Sequence, residues 1–249
     1  MENKKNKFGE KMKQKVYKPV SFDNNNMLPG DLSRSPDESF FQDTLVFIGA
    51  NFLSKLSKHF GNGKYLVYDL IKFSKNLSRK QKLNYNNIFY YTAPPFQSSI
   101  PIKEEEKGKD GYDRFVNKLR KRGVVREGRC QRLKIDGKFE YKQKAVDVLL
   151  TMDLTNVPVK YSNIKKIILV ATDSDFVPVI KNLEEQGIKT ILYTYYEKKR
   201  NTNFSRSNEI IKSVYKYVLL SKEDFNKSLF NRGLNKMENK INLVEEKKC

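Results

Sequence analysis

Residues 165–186 read KKIILVATDSDFVPVIKNLEEQ, a short apolar run that breaks into Asp-Ser-Asp and then into helical spacing. Ile167 to Ala171 form a continuous aliphatic, largely β-branched stretch. Such a run reads as a strand covered on both faces, the pattern of a parallel sheet. Side chains alternate along a strand, so Asp173 and Asp175 point the same way if the extension persists that far. In open α/β sheets ligands bind just past the carboxyl ends of the strands, which is where this pair falls. The plainer alternative is that Asp175 caps a helix starting near Phe176 while Asp173 shapes the turn.

Outward from this stretch, strand-like and helix-like segments alternate. Thr44 to Ile48 (TLVFI) reads as a first buried strand ending at Gly49-Ala50-Asn51, which makes Asn51 a polar site candidate at a strand's end. Helical spacing follows through Leu53, Leu56 and Phe60, then Leu66, Leu70 and Phe73, interrupted by Gly61-Asn62-Gly63. That triplet is too short and too late for a dinucleotide fingerprint. Asn87 to Thr92 is a second strand closed by Pro94-Pro95, residues 102–110 a charged loop, and Tyr112 to Gly123 a helix with a basic tail. Residues 128–144, GRCQRLKIDGKFEYKQK, predict a hairpin about Asp136-Gly137. Ile188 to Thr194 is a strand after the helix stop Gly187, Arg206 to Ser213 a short helix and Tyr217 to Leu220 a last strand. Strands alternating with helices imply βαβ units, hence an α/β, three-layer parallel sheet with helices on both faces. The domain is expected over 41–223, after a disordered basic arm at 1–40 and before a charged tail or helix at 224–249.

The charge balance is extreme, with 49 Lys+Arg against 29 Asp+Glu and a net charge of +20. A polyanion, nucleic acid first, is the partner this favours, against the alternative of a merely lysine-rich solvated surface. No run of about 18 apolar residues and no apolar leader is present, so a soluble, cytoplasmic protein with no membrane association is expected. A homo-oligomer is compatible with the sequence. Cys130 and Cys249 form no CxxC pair and His59 is the only histidine. Zinc frameworks and histidine chemistry therefore give way to carboxylates and hard cations. Phe139 and Tyr141 sit among basic residues between Arg126 and Lys144, a composition that suits single-stranded nucleic acid but is also ordinary strand packing.

Lys144 to Asn156 (KAVDVLLTMDLTN) predicts a helix with a broad apolar arc. Asp153 falls inside that arc and Asp147 on its far side. A carboxylate among apolar groups must be paired, hydrogen-bonded or metal-bound, so the wheel singles out Asp153, either as a site residue or as a buried group satisfied by a neighbour.

Taken in order, VFIGAN, IFYYTAPP, KAVDVLLTMDL, ILVATDSDFVPVIKNLEEQGIKTILY and SNEIIKSVYKYVLL resemble the NYN (LabA-like) family of PIN-like metal-dependent ribonuclease domains, over 44–220. The resemblance implies a PIN-like/Rossmann-like fold, single-stranded RNA as partner and a Mg²⁺ or Mn²⁺ ion. Carried over position by position, it implicates Asn51, Asp147, Asp173 and Asp175, with Lys144 beside them and Asp153 in support. It favours Asp147 over the residue the wheel picks. Where the family shows Asp after the first strand, as FIDGxN, this chain reads Phe47-Ile48-Gly49-Ala50-Asn51, so that Asp is either replaced by Gly49 or deleted. Milder departures are Ala171-Thr172 for Ser-Gly, and Tyr215 where Asp is common. The implied function is an endoribonuclease, a hydrolase of RNA phosphodiester bonds. Its rival is the same fold with an impaired site, binding RNA or a protein without cleavage.

Overall fold

The computed structural model describes residues 41–198 and 204–230. The basic arm expected at 1–40 lies outside the described residues. Six strands form one parallel sheet in the order β3-β2-β1-β6-β7-β8, and a separate hairpin pairs β4 with β5. In chain order the main-sheet strands are β1 (Gln42–Gly49), β2 (Leu83–Thr92), β3 (Val124–Glu127), β6 (Lys166–Val170), β7 (Lys189–Thr194) and β8 (Lys216–Leu219); β4 is Arg129–Ile135 and β5 Lys138–Lys144. The helices are α1 (Ala50–Phe60), α2 (Leu70–Lys80), α3 (Lys103–Arg120), α4 (Val146–Thr155), α5 (Val157–Lys160), α6 (Val177–Glu185), α7 (Asn208–Ser213) and α8 (Lys222–Asn226).

Alternation along the strands divides the interior into two layers. Leu45, Phe47, Ile167 and Leu169 face α4, α5, α6 and α7 through Leu150, Leu154, Val157, Ile180, Leu183 and Ile210. Val46, Ile48, Ile168 and Val170 face α1, α2 and α8 through Leu53, Leu56, Phe73, Leu77 and Phe225. This is the three-layer α/β architecture expected, and the continuous apolar runs follow from burial on both faces. β1 and β6 are adjacent at the sheet's centre, and the chain leaves them in opposite directions, toward β2 and β3 on one side and β7 and β8 on the other. Their carboxyl ends therefore form the crevice where the strand order reverses.

Two expectations need correction. Residues 103–110 are not a loop but the opening of α3. Glu104, Glu105 and Glu106 lie in its first turn, where carboxylates complement the helix dipole, and Glu105 accepts hydrogen bonds from the Ser98 hydroxyl (2.6 Å) and amide (3.1 Å). The core also runs past the expected boundary at 223. Phe225 in α8 is buried against Phe73, Tyr68 and Phe60, and buried Asp224 pairs with Lys80 of α2. Among the described residues no helix is long and apolar enough to cross a membrane.

Candidate active site

A cleft of about 880 Å³ opens at the carboxyl ends of β1 and β6. Gly49, Asn51 and Lys55 line it from β1 and α1, Asp147 from α4, and Thr172, Asp173 and Ser174 from the segment after β6. The hairpin contributes Tyr141, Lys142 and Gln143, and the loop before α7 adds Phe204, Ser205 and Ser207.

Strand β6 ends at Val170, so extension does not carry through to Asp175. The backbone turns instead into a 3₁₀ turn over Ser174–Phe176 that feeds α6. Asp173 is its cap, its Oδ1 accepting from the Asp175 amide at 3.0 Å. The capping role thus falls to Asp173, not Asp175. Two helical amino ends, that of α1 at Gly49 and this turn, converge on the crevice and give it a positive backbone potential that suits a phosphate.

Asp147 sits in the first turn of α4, just past Ala145, whose φ of 66° is left-handed. This sharp entry tucks Val146 into the core while Asp147 stays in the cleft. Gly128 makes the approach possible, because a Cβ there would overlap the Lys144 carbonyl oxygen and the Val146 side chain. Partial desolvation raises the Asp147 carboxyl pKa, and the charges of Asp173 and Asp175 raise it further. Asp147 and Asp173 both line the cleft, whereas Asp175 is not among the residues that line it. The Asp147 side chain makes no hydrogen bond or ion pair to any described residue.

Asp153 is held elsewhere. Its side chain is 9% exposed, and Arg126 grips it with Nε and Nη2, each at 3.0 Å, while the Tyr91 hydroxyl donates to Oδ2 at 3.0 Å. It is the satisfied buried carboxylate that the helical wheel allows, and it joins α4 to β2 and β3. Lys144, the last residue of β5, pairs across the hairpin with Arg129 and is not among the cleft-lining residues.

Gly49 lines the cleft in ordinary extended geometry, with φ −76° and ψ 110°. A Cβ built there meets only the Val170 carbonyl oxygen, at 3.8 Å. The backbone thus accepts a carboxylate at the position where the chain carries none.

The donor chemistry suits a hard cation. Asp147, Asp173 and Asn51 line an open cleft with Asp175 near it, and the repulsion that Asp173 and Asp175 exert on the Asp147 carboxylate is what a dication relieves. Among the described residues no three His, Cys, Asp or Glu side chains stand close enough to form a metal cage. Mg²⁺ ordinarily keeps several waters and takes one or two carboxylates with a substrate phosphate, so the residues present fit a hydrated ion.

Reading the sequence missed Lys55, whose only signal is its position one helical turn after Asn51. It also missed the loop from Phe204 to Ser207, which carries no motif.

The described residues form a three-layer parallel α/β domain with aspartates lining the crevice where the strand order reverses. The NYN domain pattern matches residues 44–214, and the chain belongs to that family. No curated protein matches it. A similar solved structure is a protein of unknown function from Vibrio parahaemolyticus, 13% identical, covering 77% of this chain and 98% of its own, with a TM-score of 0.46.

Proposed function

We propose that this chain is a metal-dependent endoribonuclease of the NYN family, with a site weakened by the missing first-strand carboxylate. The observation that carries the reading is the cleft at the sheet's switch point, which Asp147 lines from α4 and Asp173 from the segment after β6. Bound Mg²⁺ or Mn²⁺ supplies a Lewis acid that polarises the scissile phosphate and lowers the pKa of the attacking water. Asp147, Asp173 and Asp175 would hold such an ion directly or through water. Asn51 orients a water or a phosphate oxygen, and Lys55, one turn along α1, neutralises the phosphate next to it. Basic residues between Arg120 and Lys144 hold the strand's backbone by charge alone.

A second reading has its own observation. β1 ends at Gly49 with no carboxylate, and among the described residues no three His, Cys, Asp or Glu side chains group closely enough to hold a metal ion. A domain that binds RNA without cutting it fits those facts.

Labelled single-stranded RNA with Mn²⁺ separates the two. Asp173→Asn is the control of choice, because Asn caps a helix as well as Asp does and the fold keeps its turn. The nuclease reading expects wild-type cleavage and a loss of at least about 10-fold in the variant. Equal cleavage in both proteins, or RNA bound and never cut at any Mn²⁺ concentration, sinks it.

A further inference from the structure

The side chains of the β4–β5 hairpin belong to neither core cluster. Every residue of β5 is exposed, including Phe139 and Tyr141, each at 56%. A two-stranded ribbon is marginal by itself, and these two large, largely exposed rings belong to neither core cluster. The register explains how they are arranged. Arg132 lies opposite Tyr141 and Lys134 opposite Phe139, so cations and rings share one face. That face turns toward the cleft: the Arg132 guanidinium stacks between Phe96 (4.7 Å) and Phe139 (4.6 Å), Phe96 meets Tyr141 at 5.6 Å, and Tyr141 lines the cleft with Asp147 and Asp173.

We propose that this hairpin is a base-stacking arm. It holds an unpaired nucleotide of RNA on the Tyr141 ring, beside the carboxylates, with the Phe96–Arg132–Phe139 stack fixing the ribbon in place. The proposal rests on the ribonuclease reading for the identity of the polymer and adds to it a subsite and a strand requirement. Rings need a bare base face, which a duplex hides between its own neighbours and a single strand offers. Six cations against two carboxylates over residues 129–144 supply the affinity for the phosphates on either side. An acidic peptide satisfies that charge but presents no flat face to the ring.

Binding measured by fluorescence anisotropy in EDTA, where no cleavage occurs, tests this apart from catalysis. The probes are a labelled oligoadenylate, a sugar-phosphate strand of the same length without bases, a blunt RNA duplex and polyglutamate. Tyr141→Ala is expected to weaken oligoadenylate binding about 10-fold and leave the baseless strand within about 2-fold of wild type, while Tyr141→Phe retains full affinity. Wild type is expected to prefer oligoadenylate to duplex. Equal losses on both single strands overturn the proposal, as does duplex or polyglutamate binding as tight as oligoadenylate. If Tyr141→Ala binds normally, the arm has no stacking role even if the protein cleaves RNA. If stacking is found and no metal restores cleavage, the subsite stands and the nuclease reading falls.

Discussion

Ala145 holds a left-handed backbone with φ 66°, a conformation that crowds a Cβ against the following carbonyl and that glycine adopts freely. The strain exceeds the entropy that a glycine loses on folding, so Ala145→Gly is expected to raise stability by about 0.5–1 kcal/mol in denaturant titration. Gly49→Asp is expected to strengthen Mn²⁺ binding, and cleavage with it, by on the order of 10- to 100-fold, since the backbone there takes a Cβ without contact closer than 3.8 Å. Calorimetric titration with Mn²⁺ measures the first and RNA cleavage the second. The raised pKa of Asp147 has a definite sign for stability. A carboxyl whose folded pKa lies above its unfolded one favours folding at low pH, and that contribution disappears as pH rises through the folded pKa. At neutral pH without metal, Asp147→Asn is therefore expected to melt about 1 °C higher than wild type, with the gap closing as pH falls toward the carboxylate range. Mg²⁺ should reverse the order by stabilising wild type alone. At this scale the motif resemblance pointed to Asp147 and amphipathicity did not. An arc averages over a helix, whereas Asp147 owes its place to one left-handed residue before the first turn.

Among the elements, α4 depends on a polar anchor. Removing Arg126 leaves the Asp153 carboxylate nearly buried with only Tyr91 to donate to it. Because the arginine itself is half-exposed, Arg126→Ala is expected to cost about 2 kcal/mol, below the range for a fully buried pair. Much of that should return in the Arg126→Met, Asp153→Leu double variant, which leaves no charge stranded; urea melts of the three proteins decide it. The hairpin was plainly written in the sequence. Asp136 (φ 48°) and Gly137 (φ 76°) form the left-handed pair that the Asp-Gly signal calls for, and the register runs from Ile135 opposite Lys138 to Arg129 opposite Lys144. The start of α3 was not legible, because Gly108 and Gly111 break the helical pattern locally while capping contacts to Ser98 come from outside the helix. The attachment of α8 was equally hidden: one phenylalanine in a charged segment signals nothing until Phe60, Tyr68 and Phe73 are found around it.

For the whole molecule, a net charge of +20 predicts binding that weakens steeply with salt. Each phosphate neutralised on a single strand contributes about −0.7 to the slope of log K against log salt, so Lys142→Ala is expected to flatten that slope by about 0.7 without changing sequence preference. Binding indifferent to salt leaves the charge excess as surface solvation only. The sequence by itself determined the α/β class, the parallel sheet and the family, because buried strands must be apolar on both faces and helices must show a stripe. It also identified Asp173 and Asp175 as a pair at a strand's end. Only the tertiary structure decided what those carboxylates meet. The adjacency of β1 and β6, separated by more than a hundred residues, creates the crevice, and the crossover through the hairpin and α4 brings Asp147 and Tyr141 to it. Periodicity records which side of an element is buried, but which elements become neighbours is set by the packing of the whole sheet.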